Sequence, residues 1–335
     1  MINAAIVGLG RWGQALVTAV QGKSDRIRFV RAVVRDTAQA RDFASRRGLT
    51  LSTVLTEAAR DPAVDAVFLA TPHSLHVEQV VAVAAARKAV WCEKPLALTR
   101  AGAERAVAAC RDAGVPLGCG YNRRCFSSMR ELKRIVDGPV GDIAGGTLGD
   151  IVHVEGHFSN EHSIPVLPSL SRGWRDDPAE SPALGMTGCG LHVLDALVNL
   201  AGPIRQVHAK SWAPKAPPDP RDAVAVLIEF ASGATGVMAT VRATVPFWRV
   251  HVFGTKGDAE ARGERNLRSA YIGAPAMEHT FGSVDSLRAL AESFADAVEG
   301  RSPFLISPPQ LIDVTAAFEA VIRSLDTGAP VNVPE

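Results

Sequence analysis

Short runs of this chain combine residue types and spacings that can do chemistry. Gly8-Leu9-Gly10-Arg11-Trp12-Gly13 follows an apolar run, Ala4 to Val7, and opens a segment of helical period. In that context each glycine has its own task. Gly8 permits a tight turn, Gly10 lets backbone approach a pyrophosphate, and Gly13 lets the helix pack on the strand, so that the helix N-terminus holds the phosphates. Arg11 and Trp12 either line that pyrophosphate or, for Arg11, face solvent. Trp91-Cys92-Glu93-Lys94-Pro95 ends another apolar run. Gly190-Leu191-His192-Val193-Leu194-Asp195 supplies an imidazole with the right ordinary pKa to take a hydroxyl proton, and Asp195 can orient it from the same helical face. A buried structural histidine is the alternative.

The end of the second apolar run reads Val33-Val34-Arg35-Asp36. An acid there binds ribose hydroxyls and selects NAD, whereas an arginine accepts a 2′-phosphate and selects NADP. The acid's usual position falls on Val34 with Arg35 next, which favours NADP; a register shift of one residue brings in Asp36 and reverses the preference. Ala70-Thr71-Pro72-His73-Ser74-Leu75-His76 lies at a strand's carboxyl end, where open α/β sheets bind ligands. Thr71 and Pro72 are expected to floor the ribose and nicotinamide. His73 and His76 either touch cofactor or serve the helix start, and no third residue completes a metal site with them. Asn122 and Arg123 are placed to reach the nicotinamide amide or the substrate.

These residues need a scaffold. To about residue 121, β-branched apolar runs alternate with helical segments, the pattern of βαβ units and a parallel sheet. The strands are Ala4–Val7, Arg28–Val34, Ala66–Ala70, Ala89–Cys92 and Leu117–Gly120; Thr37, Ser74 and Thr99 read as N-caps, Gly48 and Gly114 as C-terminal glycines. Beyond about residue 145, period-two alternation over Ile151–Phe158, Ala223–Phe230, Gly236–Ala243 and Trp248–Phe253 predicts antiparallel strands in an open sheet. Helices are predicted over Asp285–Val298 and Pro309–Leu325. The expected organisation is a Rossmann domain over 1–121 and an α/β domain with a largely antiparallel open sheet over 122–335.

The chain's 335 residues suffice for two cores without staples. Its 36 basic and 35 acidic residues nearly cancel, so no global field draws nucleic acid or an anionic membrane. Five cysteines, Cys92, Cys110, Cys119, Cys125 and Cys189, make neither a disulfide framework nor a zinc pattern. With no signal-like N-terminus and no apolar stretch of bilayer length, a cytoplasmic protein is expected.

The Glu93-Lys94-Pro95 run behind the glycine motif resembles the signature of the glucose-fructose oxidoreductase, inositol dehydrogenase and rhizopine-catabolism family. So do Thr71-Pro72 with His76, the Gly120-Tyr121-Asn122-Arg123-Arg124 run, and Gly190 to Asp195, which together span the chain. The resemblance implies that Lys94 holds a substrate hydroxyl beside the nicotinamide and that Glu93 contacts cofactor or Lys94. It implies hydride transfer at a carbinol carbon of a sugar, sugar acid or cyclitol, and a homodimer or homotetramer joined through the open sheet's hydrophobic outer face. One departure stands out. Many members carry an aspartate four residues before the histidine, but here that position is Gly188, and Thr187 is a weak polar substitute. His162, Trp174, Arg175 and Asp176 are the expected substrate contacts, an indole face suiting C–H groups and a guanidinium suiting hydroxyl or carboxylate oxygens. Two alternatives stay open: reduction of a non-sugar carbonyl or imine such as a biliverdin-like ring, and a nucleotide-binding regulator without catalysis.

Overall fold

The computed structural model describes residues 1–138, 148–161, 173–212 and 223–334. The chain forms two compact units, Met1–Asn122 with Asp285–Ile312, and Arg123–Val284 with Asp313–Glu335.

In the first unit, β1 (Ile2–Val7), β2 (Ile27–Val33), β3 (Thr50–Ser52), β4 (Ala66–Leu69), β5 (Ala89–Cys92) and β6 (Leu117–Cys119) pair in parallel in the order β3-β2-β1-β4-β5-β6. This is the doubly wound Rossmann order, whose carboxyl edge reverses direction between β1 and β4. Every residue of β4 and β5 is buried, which is why these strands read as unbroken apolar runs. The short, partly polar β3 has no such pattern and was not legible in the sequence. Between the strands run α1 (Arg11–Val20), α2 (Thr37–Arg47), α3 (Leu55–Arg60), α4 (His76–Ala85) and α5 (Arg100–Ala113). Thr99 caps α5, and Gly48 and Gly114 close α2 and α5 in the left-handed region. Two expected caps differ: Asp36 rather than Thr37 caps α2, and Ser74 lies inside a 3₁₀ turn, His73–Leu75, that precedes α4.

The second unit begins with α6 (Ser127–Asp137) and holds a nine-stranded sheet. Its strands are β7 (Ile151–Ser159), β8 (Ile204–Trp212), β9 (Ala223–Phe230), β10 (Thr235–Val241), β11 (Phe247–Gly254), β12 (Gly257–Arg262), β13 (Asn266–Tyr271), β14 (Met277–Thr280) and β15 (Val331–Asn332), in the order β14-β13-β12-β11-β7-β10-β9-β8-β15. Pairing is antiparallel except between β7 and β10, which are parallel because their link passes through other elements. α7 (Leu191–Ala201) packs on β7 and is buried along nearly its whole length. The sheet's opposite face is not uniformly hydrophobic, as expected, but mixed. Leu227 and Trp212 are exposed, whereas Glu260 on β12, almost fully buried, accepts from Arg249 and Arg262.

The chain then returns to the first unit, a step that the single cut at residue 121 did not anticipate. Asp285 caps α8 (Ser286–Val298), which packs on α1 and β2. Its Phe294 stands 5.6 Å from the ring centroids of both Phe68 and Trp91 and 5.9 Å from Phe304. A side chain at Gly118 would meet the Phe294 ring at 2.7 Å, so that glycine makes room for α8. α9 (Pro308–Thr327) follows, and in the second unit its Ser324 accepts from the Ala209 amide on β8. The described cysteines are all free and buried, and no helix among the described residues is long and apolar enough to cross a membrane. Removing the Phe294 ring opens a cavity in the aromatic cluster. Phe294→Ala is expected to cost about 3–5 kcal/mol in the first unit, read by urea unfolding.

Candidate active site

The glycine turn is shaped by contacts that exclude a Cβ. Gly8 has φ +91°, and a Cβ there would sit 2.6 Å from the Ala70 carbonyl oxygen; at Gly13 it would sit 1.9 Å from the Gly8 oxygen. Gly10 caps α1, and a Cβ there would meet nothing within 4 Å, so its open side is where a side chain would otherwise intrude. Orphan amides of the first helical turn, no side-chain cap, and open space form an anion cradle, and these residues fit a dinucleotide pyrophosphate. Arg11 beside it is exposed. At the end of β2, Asp36 is held by its own helix: its carboxylate accepts from the amides of Ala38 (2.9 Å) and Gln39 (3.2 Å), while Arg35 is exposed.

The ends of β4 and β5 lie beside this turn along the same sheet edge. Thr71 donates to the Gln79 side chain at 2.6 Å. His76 is wholly buried, with Nδ1 2.7 Å from the Pro95 carbonyl and Nε2 3.1 Å from the Thr71 carbonyl, so it braces the two loops and is not a metal ligand. His73 is also buried, its ring edge-on to His76 at 5.5 Å, and Pro72 begins their 3₁₀ turn. Lys94, half-buried, precedes a cis peptide to Pro95. Glu93 turns the other way, into the core, as alternation along a strand requires. Burial pushes its pKa up, and the Trp12 and Trp91 indoles and Lys94 only partly offset that. Asn122 donates to Ser286 at 2.7 Å, which joins its amide nitrogen to α8.

The second unit arranges the remaining candidates around Met186–Gly190, a single π-helical turn that runs into α7. His192 is 6% exposed, and its ring stands edge-on to Phe158 at 6.0 Å. Asp195 does not orient it. Its carboxylate is held by the Arg124 guanidinium, Nε at 3.0 Å from both oxygens and Nη2 at 2.7 Å from Oδ1, while Nη1 reaches Asn199 at 2.9 Å. Burial raises the Asp195 pKa and Arg124 pulls it back. Arg123 lies over the rings of Phe158 at 3.7 Å and Trp248 at 4.8 Å, and burial lowers its pKa to about 10. The guanidinium thus occupies a cation–π berth among aromatic rings. Thr187 donates to the Pro182 carbonyl at 2.5 Å. A Cβ at Gly188 would lie 3.3 Å from Arg242 Nε, so a guanidinium borders the place of the missing aspartate. Arg175 stacks on Trp174 at 4.1 Å. His162 lies outside the described residues, as does the side chain of Asp176.

With this geometry in view, residues 2–121 match the model of the oxidoreductase family with an NAD-binding Rossmann fold, and residues 141–260 match the GFO/IDH/MocA C-terminal domain. The chain belongs to the Gfo/Idh/MocA family of oxidoreductases. It is 28% identical over 305 residues to the rhizopine catabolism protein MocA of Rhizobium meliloti, covering 89% of this chain and 87% of that one. It is 34% identical over 206 residues to the 1,5-anhydro-D-fructose reductase of Ensifer adhaerens, covering 61% of this chain and 54% of that protein. A solved levoglucosan dehydrogenase, in complex with NADH and levoglucosan, shares the fold over the full length of both chains, with a TM-score of 0.83 at 23% identity.

For a Gfo/Idh/MocA chain, the residues that sequence reading overlooked are supporting ones. Arg124, itself held by the Asn199 side-chain oxygen, immobilises Asp195, and Gly120 leaves room for the Glu93 carboxyl, which a Cβ there would meet at 2.4 Å. The paired arginines of the Gly120–Arg124 run and the Asp four residues before Asn199 were the available signal. Asp195→Asn leaves the Arg124 guanidinium buried without its counter-ion. It is expected to cost about 3–5 kcal/mol by denaturant unfolding, whereas joint replacement of both partners by apolar residues costs far less.

Proposed function

We propose that the protein transfers a hydride between NADP or NAD and a carbinol carbon of a sugar, sugar acid or cyclitol. The observation that carries this reading is the glycine cradle at the same sheet edge as the Lys94 strand end. Relatives named as a rhizopine catabolism protein, an anhydrofructose reductase and an inositol 2-dehydrogenase support the substrate class. The nicotinamide, when bound, supplies the hydride chemistry. The chain's own residues then bind, orient and move protons. Gly8, Gly10 and Gly13 with the first turn of α1 hold the pyrophosphate, flanked by Arg11 and Trp12. Ala70, Thr71 and Pro72 floor the ribose and nicotinamide, with His73 and His76 fixing that loop from below. Lys94 donates a hydrogen bond to the substrate oxygen, and His192 accepts the hydroxyl proton during oxidation and returns it during reduction. The Asp195 carboxylate on the same helix is held by Arg124. Thr187, Trp174 and Arg175 complete the substrate-binding set, and the active form is a homodimer or homotetramer.

We read the cofactor as NADP ahead of NAD. Asp36 is committed to capping α2, while Arg35 is exposed at the position that meets a 2′-phosphate. Arg35→Ala is expected to weaken NADPH binding by on the order of tenfold, the value of a charge-assisted hydrogen bond, and to leave NADH binding unchanged. Equal losses for both dinucleotides in titrations of nicotinamide fluorescence would refute this preference.

A second reading, binding without catalysis, draws on Gly188 and the Arg242 guanidinium beside it, which replace the family's acid. Turnover of a polyol panel separates the two. Lys94→Ala and His192→Ala are each expected to lower kcat/KM by about 10²–10⁴ with little change in dinucleotide affinity, as expected for lost proton transfer. A wild-type protein that binds dinucleotide yet oxidises no polyol, sugar acid or cyclitol points instead to the regulator.

A further inference from the structure

Glu93 is 6% exposed, yet its carboxyl is ringed by donors. The Trp91 indole nitrogen donates to Oε1 at 3.2 Å, from two residues back on the same side of the strand, and the Lys94 amide lies 3.4 Å from Oε2. Gly120 borders the carboxyl so closely that a Cβ there would lie within 2.6 Å of all three of its atoms. The remaining neighbour comes from the glycine turn. The Trp12 indole nitrogen is buried and completes no hydrogen bond, yet the indole stands near enough to the Glu93 carboxyl to favour its charged form. A buried N–H left without a partner beside a buried carboxylate is costly, and a bond between the two would satisfy both.

We propose that Glu93 is a positioning residue that ties the glycine turn, through the Trp12 indole, to the strand end carrying Lys94. It touches neither dinucleotide nor substrate in this role. Its charge sets how firmly the turn is held, and so how tightly the dinucleotide is gripped, which makes the inference rest on the function proposed above. The carboxyl is raised by burial, so its charge is lost at a higher pH than an ordinary glutamate's, and acidification loosens the tie. The titratable groups that act with it are Lys94, which lowers its pKa, and the adjacent Cys92 thiol, itself raised well above its usual value by burial.

The test uses the full chain, first without dinucleotide. Tryptophan emission of wild type, Trp12→Phe and Glu93→Gln is followed from about pH 8 to about pH 4, a range that brackets a raised glutamate. The wild type should show a transition above the ordinary glutamate range that is absent from Glu93→Gln and smaller in Trp12→Phe, where Trp91 alone still reports the carboxyl; a flat wild-type profile, one that survives Glu93→Gln, or one undiminished in Trp12→Phe overturns the proposal. NADPH and NADH are then titrated by nicotinamide fluorescence. Both variants should bind on the order of tenfold more weakly at neutral pH, with a thermal midpoint near wild type for Trp12→Phe, which keeps the ring packing. If wild type binds dinucleotide and the variants bind it equally well, the tie is refuted while the function stands. If wild type binds neither dinucleotide but the emission transition is present, the function falls and the tie between Glu93 and Trp12 stands.

Discussion

The carboxyl edge of the parallel sheet depends on one steric constraint: at three crossings, two against backbone and one against a buried carboxyl, there is no room for a side-chain carbon. Gly8 passes under the Ala70 carbonyl, Gly13 abuts Gly8, and Gly120 lies against the Glu93 carboxyl. Close packing admits no compromise at the two backbone crossings, because a Cβ inside 3 Å of backbone oxygen forces the backbone to move. The first two crossings bring β1, α1 and the loop after β4 together, which sets the helix N-terminus and its amides where an anion can meet them. The third lets a buried carboxyl sit between the cofactor turn and the lysine strand end.

Around that edge, polar groups are placed by burial and by partners that the chemistry does not use. His76 spans two carbonyls, and Asn122 is tied to Ser286 on α8. In the second unit, Arg124 anchors Asp195 and Asn199 on α7, the helix that carries His192. A buried ion pair of this kind contributes little net stability against an apolar substitute, but it fixes one arrangement of the elements that it joins. The π-helical turn ahead of α7 adds to this: an extra residue in the turn re-aims the side chains of the helix beyond it, a device common at functional sites.

Replacing the family's aspartate by Gly188 changes the electrostatics of that turn. An acid is absent and the Arg242 guanidinium borders the position.

Glycine spacing and apolar runs were enough to establish the Rossmann sheet and the dinucleotide class, because these features rest on local backbone freedom and on strands buried on both faces. Strands β7, β9, β10 and β11 were legible from alternation for the same local reason. What tertiary structure alone decided are the pairings between residues distant along the chain. Asp195 lies on the right helical face for His192 but is claimed by Arg124, 71 residues earlier in the chain. The residues from Asp285 to Ile312 return to the first unit because Phe294 finds Phe68 and Trp91 there, a contact that no periodicity can announce.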